Sequence, residues 1–334
     1  MFFDMTYNIT IGSYQLAMLD KVEIKKSVEL LAATCVITLP DAAYNFILKD
    51  ANQLQRGDKV TVQLGYDGKL QTEFIGYLLH VNTDKENIEL TCEDSLFLLR
   101  KTVKNKQFKS VSVKDIANYI LTQASVKMDI NCTMTVTYDK FTIANANAYD
   151  VLKKLQEDTK AHIWIETPPG KTPILHIHNL YEEVSGKVAY SMQHNVEESD
   201  LKYRYADDLK IQIVIKYTDA KGVMKEFKYG NTGGEQKVSM VSGLSEDGMQ
   251  QRAKNEYDSW VYDGYEGDIT GWLIPYCEPT YEAAVLDEEY PEKDGIYYVS
   301  GVETSFSSDG GKRKAKLSKK LASIKNGQEI TWTT

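Results

Sequence analysis

Apolar and polar positions alternate with a period of two through most of the first hundred residues. Residues 59–66 show it most plainly, with Val60, Val62 and Leu64 separated by polar side chains, the pattern of a half-buried antiparallel strand. Residues 33–39 are rich in β-branched side chains and stop at Pro40, which predicts another strand. Asp67-Gly68 is a hairpin turn signal. The chain is then expected to run back over 70–83, turn at 84–87 and return over 88–92. Residues 95–101 read as a short closing helix. Several strands with short turns and a helical plug predict a small barrel or sandwich.

The period changes after Lys109. Ser112 can cap a helix with Asp115 three residues on, and Val113, Ile116, Ala117, Ile120, Leu121 and Ala124 then form one apolar stripe. Asn147 and Asp150 repeat the signal before Val151, Leu152 and Leu155. Strand-like runs at 134–143, 162–166 and 174–178 complete a small α+β region. From Ser199 the period of two returns, at 209–217, 223–229, 267–275 and 281–286. One helix opens at Ser245 with Met249, Ala253, Tyr257 and Trp260 on a face. The expected fold is mainly β with an inserted α+β domain. Residues 1–109 and 199–334 are expected to form two similar antiparallel β-barrel domains, with the insert at 110–198.

The similarity of the two β regions rests on a repeated corner. Residues 74–92 and 298–317 each read as a strand, a polar turn and a returning strand. With Gly76 placed on Gly301, Val81 meets Phe306, Asp84 meets Asp309 and Cys92 meets Leu317. A glycine inside a strand pattern marks a bulge or a close backbone approach. Gly57, Gly76, Gly301 and Gly310 are therefore the candidate corner and turn positions.

Composition narrows the function. A formal net charge of −9 over 334 residues argues against a nucleic-acid coat, which needs a basic surface. The N-terminus lacks a basic, apolar leader, and no apolar run approaches the ~20 residues that span a bilayer. Cys35, Cys92, Cys132 and Cys277 are far apart with no C-x-x-C pair, so free thiols are expected, with neither disulfides nor a zinc site. His176 and His178 share a strand face, an arrangement open to a metal. No third ligand is visible in the sequence, and a polar strand face is expected. Residues 230–235 lack the Gly-Lys-Ser/Thr ending of a phosphate loop. Asp287, Glu288, Glu289, Glu292 and Asp294 match no EF-hand spacing. No nucleophile elbow or Cys/His dyad is present. The expectation is a protein with no catalytic residues, no metal and no cofactor.

The 22 tyrosines suit half-buried sheets and wet interfaces. The segment 294–318, with its D-G-I-Y-Y-V strand, bend, glycine-containing turn and basic strand ending in Leu317, resembles the C-terminal signature of phage tail hub proteins of the late control gene D family. Gly57-Asp58, Gly65-Tyr66, Gly76 and Leu90–Asp94 resemble its first region, and the helix before His162–Glu166 its middle. Related proteins in that family often have a histidine after the bend, where this chain has Glu303-Thr304. The resemblance implies a structural baseplate or tail-tip hub: a homotrimer with quasi-six-fold barrels that joins the tail tube protein to the central spike protein. It is related to the hub part of type VI secretion VgrG spikes. It further implies a virion component made in the bacterial host cytoplasm, with no specific nucleic-acid binding and no membrane insertion. Two other classes remain open. A carbohydrate- or cell-wall-binding tail-tip module would use exposed Tyr and Trp, and a peptidoglycan hydrolase would need a domain that the chain does not display.

Overall fold

In the computed structural model, residues 4–40, 54–82, 88–218 and 222–324 are described. The first β region contains β1 (Met5–Ile11), β2 (Tyr14–Gln15), β3 (Lys21–Ser27), β4 (Thr34–Leu39), β5 (Lys59–Tyr66), β6 (Lys69–Asn82) and β7 (Ile88–Glu93). They pair antiparallel in the order β3-β4-β7-β6-β5-β1-β2. Val60, Val62 and Leu64 point into a core with Ile9, Ile24, Ile37 and Leu90, as their alternation requires. Asp67 and Gly68 take φ of 50° and 76°, the left-handed pair that matches a two-residue turn to the twist of the flanking strands. The turns expected at 84–87 and 219–222, and Asp84 of the repeated corner, lie wholly or partly outside the described residues.

The middle region contains β8 (Lys106–Ser112), α1 (Val113–Ala124), β9 (Asp129–Cys132), β10 (Thr137–Ile143), α2 (Ala148–Thr159), β11 (His162–Glu166) and β12 (Ile174–His178). Both helices start where the caps indicate. Ser112 Oγ accepts from the Asp115 amide at 3.1 Å, and Asn147 Oδ1 from the Asp150 amide at 2.8 Å, each satisfying an N–H that the helix leaves free. Their apolar stripes face one core. The short 3-10 turn at Ser95–Leu99 is a correction to the expected plug. Its Leu96 and Leu99 are buried in this middle core, so it joins the first two regions instead of closing the first.

The rest of the chain contributes β13 (Gly186–Ser191), β14 (Glu198–Ser199), β15 (Lys202–Arg204), β16 (Ile211–Thr218), β17 (Met224–Gly230), β18 (Glu235–Met240), α3 (Glu246–Trp260), β19 (Gly264–Trp272), β20 (Tyr281–Leu286), β21 (Gly295–Ser307) and β22 (Gly310–Ala322). Strands β17-β16-β18 form a separate sheet. Its Ile211, Ile213 and Ile215 share the middle core with Met249 and Ala253 of α3. Alternation gave the strand but not the layer it joins, so the middle core draws on residues from both sides of 198. Strands β13, β19, β20, β21 and β22 enclose a third core around Tyr190, Ile269, Val285, Tyr297 and Leu317.

One strand unites the two β regions. β21 pairs with β22 on one side and, from Gly301↔Ser27 to Ser307↔Lys21, with β3 on the other. A single 14-stranded sheet therefore carries two separate cores. Its principal path ends at β2 and at β14, and β13 pairs only with β20 among the described strands. No helix among the described residues is long and apolar enough to cross a membrane.

Candidate functional site

The seam between the two β regions is built by a bulge. In the β5–β6 ladder Val62 faces Phe74 and Gln63 faces Thr72, which leaves Glu73 unpaired. A bulged residue is re-aimed out of the alternation, and Glu73 turns inward to 3% exposure. There it meets Arg313 of β22, with Oε1 to Nη2 at 2.5 Å. The other guanidinium nitrogen Nη1 donates to the carbonyls of Leu273 and Pro275. Burial opposes the Arg313 charge most strongly, but the Glu73 carboxylate, with Cys277 and Tyr190, leaves the guanidinium pKa raised. Tyr66 donates its hydroxyl to the Gly311 carbonyl at 2.9 Å. Phe306 and Leu273, from the C-terminal part of the chain, complete the first core. Lys26 and Glu278 add an ion pair at the flank. The seam joins the two β regions through a buried ion pair, hydrogen bonds and a shared core.

The four candidate glycines occupy different settings. Gly76 and Gly301 both lie inside the long strand that leads into a hairpin. The hairpins differ in register: Leu78 faces Cys92, whereas Glu303, its counterpart, faces Lys314 and not Leu317. A Cβ on Gly76 would stand 2.3 Å from the Glu93 carbonyl, and on Gly301 3.3 Å from that of Lys26. Gly57 donates its amide to the Leu78 carbonyl at 2.8 Å, which docks the start of β5 on β6. Gly310 closes the β21–β22 turn at φ 128°.

The histidine face lies on the β11-β12-β9 sheet. His176 and His178 are 6% and 0% exposed, and His176 Nδ1 lies 3.3 Å from His178 Nε2. The far nitrogen of each ring is held: His176 Nε2 by Glu166 Oε2 at 3.1 Å, and His178 Nδ1 by Thr133 Oγ1 at 2.9 Å. Trp164 stacks on His176 at 4.7 Å between centroids. Burial, then His176, pushes the His178 pKa down to about 4. The hydrogen bond to His176 lowers that of Glu166, against its burial. Sequence reasoning missed a third group. Glu183, five residues beyond the strand, brings a carboxylate oxygen to within 4.8 Å of nitrogens of both histidines. Only the fold could find it, because the chain doubles back after Asn179.

The remaining candidates stay apart. In the 230–235 loop the Asn231 and Glu235 amides donate to the Ile211 and Lys210 carbonyls, so these N–H groups are spent on the sheet. Asp287 and Asp294 cap their own loop, receiving the amides of Glu289 and Asp287 respectively. The four cysteines are free thiols; burial pushes those of Cys92 and Cys277 up to about 12, far from thiolate reactivity. A cleft of about 390 Å³ between Thr135, Tyr229, Asp247, Gln251 and Lys254 has neither thiol nor imidazole in its lining.

Comparison with known proteins follows from this architecture. A family model described as the Alg8 N-terminal domain matches residues 6–163, less than half of the chain. No curated protein sequence matches. A 43 kDa tail protein of prophage MuSo2 from Shewanella oneidensis is similar over 95% of this chain and 98% of its own, with TM-score 0.66 and 15% identity. A tail protein of Neisseria meningitidis is similar over 94% and 96%, with TM-score 0.66 and 14% identity. An Escherichia coli type VI secretion component, itself described as similar to the T4 tail proteins gp27 and gp5, is similar over 92% and 76%, with TM-score 0.60 and 11% identity. The fold is thus one shared with phage tail proteins and with a type VI secretion component.

Proposed function

We propose that this chain is a structural hub of a phage tail or phage-tail-like particle. In this reading it is a trimer whose β units form a quasi-six-fold ring between the tail tube and the central spike. The observation that carries the reading is a pair of β cores on one sheet, in a chain whose fold matches tail proteins almost end to end. Two units per chain, taken three times, supply six places around an axis. Exposed sheet edges are liabilities unless another strand or subunit covers them. Contacts between the first unit of one chain and the second of the next are heterologous, and they close only when the rotation fits. The net charge of −9 suits a channel that does not retain DNA. The role needs no catalysis. It places the protein in the virion or tail particle.

The test is mass measurement in solution across protein concentration, alone and with the tube protein. A threefold species, or one assembling on tube protein, is expected. A chain that stays monomeric at high concentration and fails to assemble would overturn the hub reading and favour the glycan-binding module.

A further inference from the structure

We propose that His176, His178 and Glu183 form a binding site for one divalent transition-metal ion, and that zinc suits it best. The inference goes beyond the hub role and does not depend on it. Two imidazoles and a carboxylate are a common zinc donor set, with the remaining position left to water. Zn–N bonds of about 2.0–2.1 Å in a tetrahedron set neighbouring donors about 3.3–3.4 Å apart. The facing nitrogens, His176 Nδ1 and His178 Nε2, stand at 3.3 Å. Glu183 offers an oxygen within 4.8 Å of a nitrogen of each histidine; its Oε2 stands 3.9 Å from His178 Nδ1, and its side chain, 28% exposed, must turn toward Nε2 to join the set.

The surroundings also match a metal site. Metal-bound histidines have their other ring nitrogen held by a carboxylate, carbonyl or hydroxyl, which fixes ring orientation and tautomer. Here Glu166 holds Nε2 of His176 and Thr133 holds Nδ1 of His178. The Thr133 hydroxyl can donate or accept. Without metal it donates to His178 Nδ1, while the Nε2 proton of His178 bridges to His176. With metal, His178 carries its proton on Nδ1 and donates to Thr133. Both rings stay neutral and every proton has an acceptor. Trp164 covers one ring face. The carboxylates of Glu166, Glu182 and Glu183 surround the pair, with Asn179 gripping both oxygens of Glu182. An ion here would tie β12 to the 179–185 connection, which leads into β13 and so from the middle region into the C-terminal β region.

The experiment uses the full chain, stripped with chelator and titrated with zinc chloride and, as a spectroscopic probe, cobalt chloride. One ion per chain is expected, with cobalt developing the visible bands of low coordination number and zinc raising the thermal midpoint. Glu183→Gln alters a half-exposed side chain and should fold; it is expected to weaken zinc binding about tenfold or more. Thr133→Val should weaken it by about 10–100-fold through the lost outer contact. His176→Gln should abolish it. A chain that takes up no stoichiometric zinc overturns the proposal. So does a chain whose binding is unchanged in Glu183→Gln and Thr133→Val. If His176→Gln does not fold, these two variants decide alone.

Discussion

Glu73 and Arg313 lie 240 residues apart in the chain and form one buried ion pair between the two β regions. Their side chains are 4% and 1% exposed, so neither charge has water as an alternative partner. Removing one leaves the other buried and unpaired, which costs about 3–5 kcal/mol, whereas replacing both by apolar side chains is near neutral. Glu73→Gln is therefore expected to lower stability by that amount in urea unfolding, and Glu73→Leu with Arg313→Met to restore part of it, since the Leu273 and Pro275 carbonyls then lose their donor. A double-variant loss equal to the sum of the Glu73→Leu and Arg313→Met losses would mean that the charges do not act as a pair.

The two corner glycines should differ sharply. Alanine at Gly76 would push its Cβ to 2.3 Å from the Glu93 carbonyl and 2.6 Å from the Phe74 ring. Backbone and a packed ring yield little, and overpacking of this kind costs about 1–3 kcal/mol. Gly301→Ala meets its nearest atom at 3.3 Å and should cost less than about 1 kcal/mol. Thermal unfolding of the two variants side by side checks the order, and a larger loss at Gly301 would contradict it.

Ile120 and Leu152 are both fully buried on the facing stripes of α1 and α2. Truncating either to alanine is expected to cost about 2–5 kcal/mol. Met240→Ala, at a side chain 71% exposed on β18, should change stability by less than about 0.5 kcal/mol. Denaturant midpoints of the three variants give the comparison directly.

These helices were readable because the signals are local. Ser112 and Asn147 sit next to the amides they cap, and the apolar stripe of each helix needs only its own spacing. The Asp67-Gly68 turn was readable for the same reason. What the sequence concealed lies in partnership. The alternation of β16 names a buried face but not the helix and sheet that bury it, so 211–215 passed for part of the second β region. The pairing of β21 with β3 joins residues about 275 apart, and nothing local at Ser27 or Gly301 announces it. The Glu73 bulge breaks the period by one residue and so reverses the side on which a carboxylate stands. Glu183 was hidden likewise, since its approach to His178 depends on a reversal of the chain at 179–183. Gly76 and Gly301 each lie in a long strand that leads into a hairpin, but the two hairpins differ in register, through bulges that residue types did not mark.

Asp94 should give the protein a pH response of its own. Its carboxyl is 4% exposed and caps the 3-10 turn, receiving the Leu96 amide on Oδ1 at 2.8 Å and the Ala33 amide on Oδ2 at 2.7 Å. Burial raises its pKa from an ordinary 3.8 to about 7, against the lowering by those two hydrogen bonds. Between these values the folded chain keeps a proton that the unfolded chain releases. Its contribution is therefore fully present below about pH 4 and is lost as the pH rises through about 7. The slope reaches at most about 1.4 kcal/mol per pH unit. Asp94→Asn cannot ionise, so it removes the slope. It also turns an amide N–H₂ toward one of the two donors, which adds a loss that does not vary with pH. Urea unfolding of both proteins between pH 4 and pH 8 separates the effects, because every other titrating group is common to the pair. The stability difference in favour of wild type should shrink as the pH rises, and parallel curves across the range would show that Asp94 is already ionised in the fold.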